Sequence, residues 1–472
     1  GLGPKRVRVL YDQLGITTVE GLKEAAKEQK LRRLDGFGAK LENELLRETR
    51  VLSKKENRIL LREAEEAAEP LLAYLKKFRG VELAEIAGSY RRGKETVGDL
   101  DLVASAQDGK SVIDHFVKYP DIAEILSQGE TRSSVVLRSG LQVDLRVVRP
   151  RSYGAALFYF TGSRAHNLHL RNTAIDRGLK INEYGVYRGD EWIAGETEAE
   201  FYRVFDLPYI LPELREERGE IEAALKGKLP EPVSLEQIRG DLHTHTLDSD
   251  GKNSLEEMAA AAKALRYEYL AITDHALLAG VIDGLDADGL ARQMEAIDRI
   301  NEKLEGIRLL KGIEVDILED GSLALPDEVL DRLDICVAAV HSAYELPEKK
   351  QTERVIRALD NPNVHILAHP TSRRFGKRGP VAIDLEKVML AALERGVYLE
   401  VNGTPDRLDL DDIHCKLAKE MGLKLVISTD AHSTGELDFI RYGVGQARRG
   451  WLEAGDVINT QRWNRLELRN KS

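Results

Sequence analysis

After residue 240 the chain alternates short apolar runs with amphipathic helical stretches, and most of the runs carry a histidine or a carboxylate near their ends. The runs close at THT (Thr246), ITDH (His275), IEVDI (Ile317), AAVHS (Ser342), ILAHP (Pro370), LEVNG (Gly403) and ISTDAH (His432). Helical segments separate most of them. One is SLEEMAAAAKAL, where Ser254 and Glu257 have the spacing of a capping box. Seven strands alternating with helices are the grammar of a (β/α) barrel rather than of an open sheet.

Eight of the 11 histidines lie after residue 240. Six fall at the strand ends: His243, His245, His275, His341, His369 and His432. Asp250, Glu314 and Asp430 share that location. Residues two apart on a strand face the same way, so His243/His245 and Asp430/His432 can each converge. In a barrel, the C-terminal ends of the strands are where catalytic groups gather. One histidine in such a run is ordinarily a packing residue, whereas nine ligand-type side chains on one rim suffice for two or three metal ions. No cysteine joins them, so the donor set suits zinc, manganese or iron(II) and argues against a thiolate zinc staple. His365 lies four residues before His369 with the same strand parity. His369 is preferred because it ends its run before Pro370. His414 sits in a helical pattern and is expected to be structural.

A chain of 472 residues suggests about three domains. With 42% hydrophobic and 32% charged residues it is expected to be globular and cytoplasmic. The sequence shows no signal-peptide pattern and no apolar run long enough to span a membrane. Cys336 and Cys415 are expected to be reduced core residues. The net charge of −11 argues against a protein that coats DNA, but residues 1–50 carry a net +3. Metal-binding carboxylates also count as negative in such a sum.

The N-terminal half has a different rhythm. Residues 1–57 read as short helices broken by glycine turns, and a long amphipathic helix is expected over about 56–78. The runs VELAEIAGS, GDLDLVAS, SVVLRSG and LQVDLRVV then switch to a period of two, which predicts a mixed sheet with helices. Residues 227–239, with two prolines and no periodicity, read as a linker. Within AGSYRRGKETVGDLDLV, Asp99 and Asp101 are two apart and point one way. Asp144, in LQVDLRVV, lies on another run that can pair alongside. Three convergent carboxylates suit two magnesium or manganese ions for in-line nucleotidyl transfer. Upstream, Gly88 and Ser89 open a turn whose amides and hydroxyl can meet a triphosphate. Arg92 adds charge and Gly98 permits close approach.

The barrel motifs, taken in order over about residues 240–435, resemble those of the PHP (polymerase and histidinol phosphatase) superfamily. The resemblance implies a distorted seven-stranded (β/α) barrel with a trinuclear cluster of zinc, manganese or iron. By motif the first ion would take His243, His245, Glu314 and Asp430. Glu314 would bridge to a second, held with His341 and His369. Asp250, His275 and His432 would hold the third. Such clusters hydrolyse phosphate esters. Arg373 and Arg374, after AHPTS, are candidates for holding a phosphate or for ordinary salt bridges.

The palm motif resembles nucleotidyltransferases, and YFTGSRAHNLHLR with INEYGVY is similar to the nucleotide-binding segment of family X DNA polymerases such as DNA polymerase beta. That resemblance implies that Tyr159 and Phe160 line the sugar and that Asn167 faces the base. It places Arg171, Asn182, Glu183 and Tyr184 around the templating pair. GLGPKRVRVLY looks like a helix-hairpin-helix, in which Gly1 and Gly3 permit a turn onto a DNA phosphate and Lys5 and Arg6 add charge.

The expected fold is therefore multidomain α/β. It comprises a helix-hairpin-helix domain (1–57), a nucleotidyltransferase palm (58–150), a nucleotide- and nascent-pair-binding subdomain (151–226), a linker (227–239) and a PHP barrel (240–472). The pairing resembles bacterial and archaeal family X polymerases. It implies a monomeric, nucleoid-associated repair enzyme acting on gapped or primer-template DNA and dNTPs, with a 3′–5′ exonuclease or 3′-end phosphodiesterase in the barrel. Such chains usually carry a lyase-like domain upstream, and this sequence starts where that domain would end. Two other readings stay open. The palm would serve RNA or small molecules with the barrel as a linked phosphatase, or the barrel would be a metal-stapled scaffold without turnover.

Overall fold

The sequence Asp-Leu-Asp-Leu at 99–102 alternates polar and apolar, and the chain uses it as a half-buried strand with both aspartates on one face. The computed structural model describes residues 4–34, 36–39, 41–42, 45, 58–276, 284–466 and 468. The strands of the N-terminal half are β1 (Ile59–Leu60), β2 (Leu83–Ile86), β3 (Thr96–Val97), β4 (Asp99–Ser105), β5 (Ile122–Gln128), β6 (Arg132–Leu137) and β7 (Gln142–Val148). Five of them form one mixed sheet in the order β2-β4-β7-β6-β5, with β4 and β7 parallel and the other neighbours antiparallel. The buried face of this sheet packs on the helix Leu61–Lys76, whose Ala64, Ala68, Leu71 and Leu75 form one apolar stripe.

Two expectations need correction. The helix begins at Leu61 rather than near 56, because β1 precedes it and pairs with β3. Strand β5 was not expected at all. It is an edge strand, exposed along nearly its whole length, so IAEILSQ carries no inside-outside alternation.

The next subdomain packs the helices Tyr153–Thr161 and Arg164–Asp176 against a small antiparallel sheet of β8 (Lys180–Asn182), β9 (Gly185–Arg188) and β10 (Glu191–Ala194). Phe158, Phe201, Tyr202 and Phe205 fill its core. At the N-terminus, helices Pro4–Leu14 and Val19–Lys27 bury Leu10, Ala25 and Ala26 together. Residues 227–239 do not hang free. Val233 is fully buried, its N–H bonds to the Leu452 carbonyl at 2.8 Å, and its own carbonyl accepts from Arg448 Nη1 at 3.1 Å.

The C-terminal half is an all-parallel sheet in sequential order: β11 (Gly240–Asp241), β12 (Tyr269–Ile272), β13 (Arg308–Asp316), β14 (Ile335–Ala339), β15 (Ile366–Leu367), β16 (Tyr398–Asn402) and β17 (Leu425–Ser428). It curls into a barrel with two cores. One set of alternating residues, including Leu242, Ala271, Leu310, Val337 and Val426, fills the interior, and the other set packs on the surrounding helices. Above the strands the rim closes where the His245 N–H meets the Ala431 carbonyl at 2.8 Å and the Asp430 N–H meets the His243 carbonyl at 3.0 Å. Lower down, a side chain closes the seam. Asn459 is fully buried, donates to the carbonyls of Gly240 (2.8 Å) and Ile427 (2.7 Å), and accepts from the Ile427 N–H (3.1 Å). Neither cysteine is in a disulfide, and both are buried. No helix among the described residues is long and apolar enough to cross a membrane.

Candidate active sites

The barrel rim converges on one carboxylate. Glu314 sits in β13, and five histidines reach it from the ends of neighbouring strands. The Nε2 atoms of His369, His341, His243 and His245 lie 3.0, 3.2, 3.4 and 3.6 Å from it, and Nδ1 of His275 lies at 3.0 Å. Asp430 stands 3.1 Å from His245, and Asp250 stands 3.2 Å from His432. All nine residues picked from the strand ends therefore meet. Asp430 (φ 55°) and His369 (φ 25°) do so with left-handed backbone, which non-glycine residues keep only where the surroundings enforce it.

Grouped by proximity, some rim residues belong to more than one set. Potential ligand atoms cluster as His243-His245-Glu314, as His275-Glu314-His341, and as His245-Asp250-His275-His432. His245 and His275 thus each belong to two clusters. His365 is not in the rim: its Nδ1 accepts the Cys336 N–H at 3.1 Å. His414 bonds Asp411 at 2.8 Å beside a helix start.

The donor set fits metal ions on a physical test. His243 Nε2, both ring nitrogens of His245, His275 Nδ1, His369 Nδ1 and Glu314 Oε2 are buried and make no hydrogen bond. An orphaned buried polar atom costs about 1–3 kcal/mol, so six of them around one rim call for a cation. Charge is already polarised here. Burial alone would raise the Glu314 carboxyl, but His341, His243 and His275 hold it well below the usual range. Burial would lower His341, but Glu314 and Asp316 hold it up at about 9. His369, buried and facing Arg407, is pushed down to about 4.

A supporting shell escaped the sequence reading. Glu400 accepts from His243 Nδ1 at 2.7 Å and from the His369 N–H at 2.7 Å. Asp316 accepts from His341 Nδ1 at 3.1 Å. Asn402 donates to Glu400 and Asp430, and Arg407 lies 3.4 Å from Asp430. Such partners set which ring nitrogen faces a metal. The available signal was an acidic residue inside an apolar strand, as in YLEVN and GIEVDI.

The rim opens into a cavity of about 650 Å³ lined by Asp250, Asp430 and His432 on the barrel side. Arg62, Glu63 and Glu66 of the N-terminal helix Leu61–Lys76 line the other side. Arg373 is not free to hold a ligand there. It is nearly buried, with Nη2 2.6 Å from Glu95 and Nε 2.8 Å from the Arg407 carbonyl. Arg374 does line the cavity.

In the N-terminal half, the parallel pairing of β4 and β7 puts Asp101 opposite Asp144 and Asp99 opposite Gln142. All three aspartates share the half-buried face. Ser134 and Gln142 orient the Asp144 carboxylate, the latter at 2.8 Å. The Gly88-Ser89 turn is stapled beneath them, with the Ala87 N–H on the Asp101 carbonyl at 2.6 Å. Gly88 has φ +65°, and a Cβ there would sit 2.6 Å from Asp101 Oδ2, so only glycine fits. Gly98 lies at the bend that leads into β4.

Arg92 is already paired, with Nε 2.9 Å from Glu216 and Nη1 on the Thr161 carbonyl. Arg146, two residues after Asp144 on the same face, lays its guanidinium 5.4 Å over the Phe160 ring, and Tyr159 meets Phe160 edge-on at 5.3 Å. The aromatic pair therefore packs beside Arg146, on the strand that carries Asp144. Asn167 Nδ2 donates to the Tyr159 carbonyl at 2.7 Å, while its Oδ1 is buried without a hydrogen bond. Arg171 follows one turn later and is exposed. The Tyr184 N–H bonds Asn182 Oδ1 at 2.9 Å, and Glu183 sits between them. Gly1 and Gly3 lie outside the described residues, as does the side chain of Lys5.

A two-carboxylate strand pair joined to a histidine-rimmed parallel barrel defines a nucleotidyltransferase palm fused to a metal-type phosphoesterase barrel. Residues 58–147 match the DNA polymerase beta palm family, 156–216 the DNA polymerase beta thumb, 241–404 the PHP domain, and 1–50 the SAM-like helix-hairpin-helix tandem. Over 465 residues the chain is 39% identical to "DNA polymerase/3'-5' exonuclease PolX" of Bacillus subtilis, covering 98% of this chain and 81% of that one. The barrel is 35% identical over 207 residues to a "Probable phosphatase" of Acetivibrio thermocellus, covering 42% of this chain and 80% of that one. A crystal structure of Leishmania infantum polymerase beta in a ternary P/T complex covers 46% of this chain and 94% of its own, at 22% identity and a TM-score of 0.36. The chain belongs to the family X DNA polymerases that carry a C-terminal PHP domain.

Proposed function

We propose that this chain is a two-site DNA repair enzyme. The palm adds nucleotides to the 3′ end of a short gap, and the barrel removes nucleotides or blocked ends from 3′ termini. The observation that carries the reading is the presence of both sites in one chain, with Asp101 opposite Asp144 in the palm and five histidines around Glu314 in the barrel. Both sites are built from a single chain, which supports a monomer as the working unit.

In the palm, Asp99 and Asp101 would hold two magnesium or manganese ions with Asp144 beside them. Bound there, such ions neutralise the triphosphate and acidify the primer hydroxyl. The protein does the positioning. Asp144, oriented by Ser134 and Gln142, draws the proton of the primer 3′-OH. The Gly88-Ser89 turn, anchored to the Asp101 carbonyl, presents its amides to the triphosphate. Phe160, under Arg146, and Tyr159 form the floor for the sugar.

In the barrel, the nine rim residues would hold zinc, manganese or iron ions, which supply a hydroxide and charge neutralisation when bound. Glu400 and Asp316 receive the Nδ1 protons of His243 and His341, leaving both Nε2 atoms turned toward Glu314. The shared cavity of about 650 Å³ admits a DNA end between the barrel and the palm helix.

The test uses a 5′-labelled primer in a one-nucleotide gap, with manganese, with and without dNTPs. Asp99→Ala/Asp101→Ala should abolish extension alone, and His341→Ala should abolish shortening alone. Extension without shortening in any variant would leave the barrel as a scaffold or as a phosphatase of other substrates.

A further inference from the structure

One barrel helix, Ile440–Arg449, sends a row of side chains onto the polymerase half. Arg441 Nη1 and the Tyr442 hydroxyl reach Glu65 at 2.8 and 2.7 Å. Gln446 Nε2 reaches Glu95 at 2.9 Å, Arg448 Nε reaches Glu213 at 2.7 Å, and Arg449 Nη2 reaches Glu216 at 3.1 Å. Every one of these carboxylates belongs to the polymerase half.

Arg449 differs from the rest in its depth and its targets. Its side chain is 1% exposed. Nη1 donates to the main-chain carbonyl of Arg92, and Nη2 also meets Asp412. Glu216 in turn holds the Arg92 guanidinium. A single oxygen, Glu216 Oε1, serves Arg92 at 2.9 Å, Arg449 at 3.1 Å and Lys94 at 3.9 Å. A barrel residue therefore grips both the backbone and the counter-ion of Arg92, four residues past the turn that opens the triphosphate pocket.

We propose that Arg449 is a positioning residue for nucleotide binding. By competing with Arg92 for Glu216 Oε1, it sets how firmly Arg92 is held back from an incoming triphosphate, so the barrel tunes the palm's affinity for dNTP. This rests on the reading of the palm as the nucleotide-adding site. The physical reason is competition at one acceptor. A triphosphate recruits Arg92 by drawing it away from Glu216 and the Thr161 carbonyl, and a carboxylate oxygen already neutralised by a second guanidinium holds the first one less tightly. Without Arg449, Glu216 would close on Arg92. Asp412 would keep a partner in Arg218, which stands 3.2 Å away.

The experiment is steady-state single-nucleotide gap filling by the full chain, with KM for dNTP and kcat measured separately. Arg449→Met should raise KM by about tenfold with kcat within about twofold. Arg449→Lys should stay near wild type, and adding Glu216→Gln to Arg449→Met should bring KM back down. Glu216→Gln alone, in a chain that keeps Arg449, should lower KM below wild type. An unchanged KM in Arg449→Met overturns the proposal. So does a joint fall of kcat and stability that Glu216→Gln does not rescue. If Arg449→Met fails to fold, Glu216→Gln alone decides, and a KM no lower than wild type overturns the proposal. Failure of the wild type to extend at all is a separate result, because it removes the palm reading itself.

Discussion

His243 Nδ1 lies 2.7 Å from Glu400 Oε1, both groups fully buried, and this pair fixes which face of the imidazole turns toward Glu314. Glu400 also accepts the His369 N–H, so one carboxylate orients two rim residues. Replacing Glu400 with Gln keeps the shape and removes the charge. Metal affinity and 3′ shortening should fall about 10- to 100-fold. Extension by the palm should be unchanged. Metal content after dialysis, measured beside both activities, checks this, and full metal retention with full shortening would refute it.

Gly88→Ala tests the palm turn. The new Cβ would lie 2.6 Å from Asp101 Oδ2, at a φ of +65°. Strain of about 1–3 kcal/mol must be relieved by moving the turn or the aspartate. Extension should drop by at least about tenfold. Shortening by the barrel should persist, which separates a local distortion from unfolding.

Asn459→Leu tests the barrel seam. The substitution removes three buried hydrogen bonds and strands the carbonyls of Gly240 and Ile427. The expected loss is about 3–5 kcal/mol, seen in urea unfolding of the barrel. A change below about 1 kcal/mol would mean that β11 and β17 close without the side chain.

The Asp411–His414 pair predicts a pH window. Burial would raise the Asp411 carboxyl, but the His414 side chain and backbone outweigh it and hold it at about 2. The hydrogen bond that its ring donates to Asp411 raises His414, against its burial. The carboxylate's contribution is present above its unfolded value near 4 and is lost as pH falls through about 2. The imidazolium's contribution is complete below its unfolded value near 6.5 and is lost as pH rises through its raised folded value. Wild type should therefore exceed Asp411→Asn most between about pH 4 and 6.5, by about 1 kcal/mol. A pH-independent difference would dismiss the ion pair.

The chain announces much of this architecture locally. Strand parity places Asp99 with Asp101, and strand ends mark the six rim histidines, because side-chain direction along a strand repeats every two residues. The distinction of His369 from His365 also rested on a local cue, the end of the run before Pro370, and the structure turns His365 toward the Cys336 backbone instead. Strand β5 stayed hidden because an exposed edge has no buried face to write into the sequence.

What the sequence by itself determined is therefore the set of elements and the residues that their periodicity aligns. What only the tertiary structure decided are pairings between distant residues. Glu400 meets His243 across 157 positions, and Arg449 meets Glu216 across 233. Each is a buried charge whose partner is chosen by topology, since desolvation demands a counter-ion but says nothing about where in the chain it must come from.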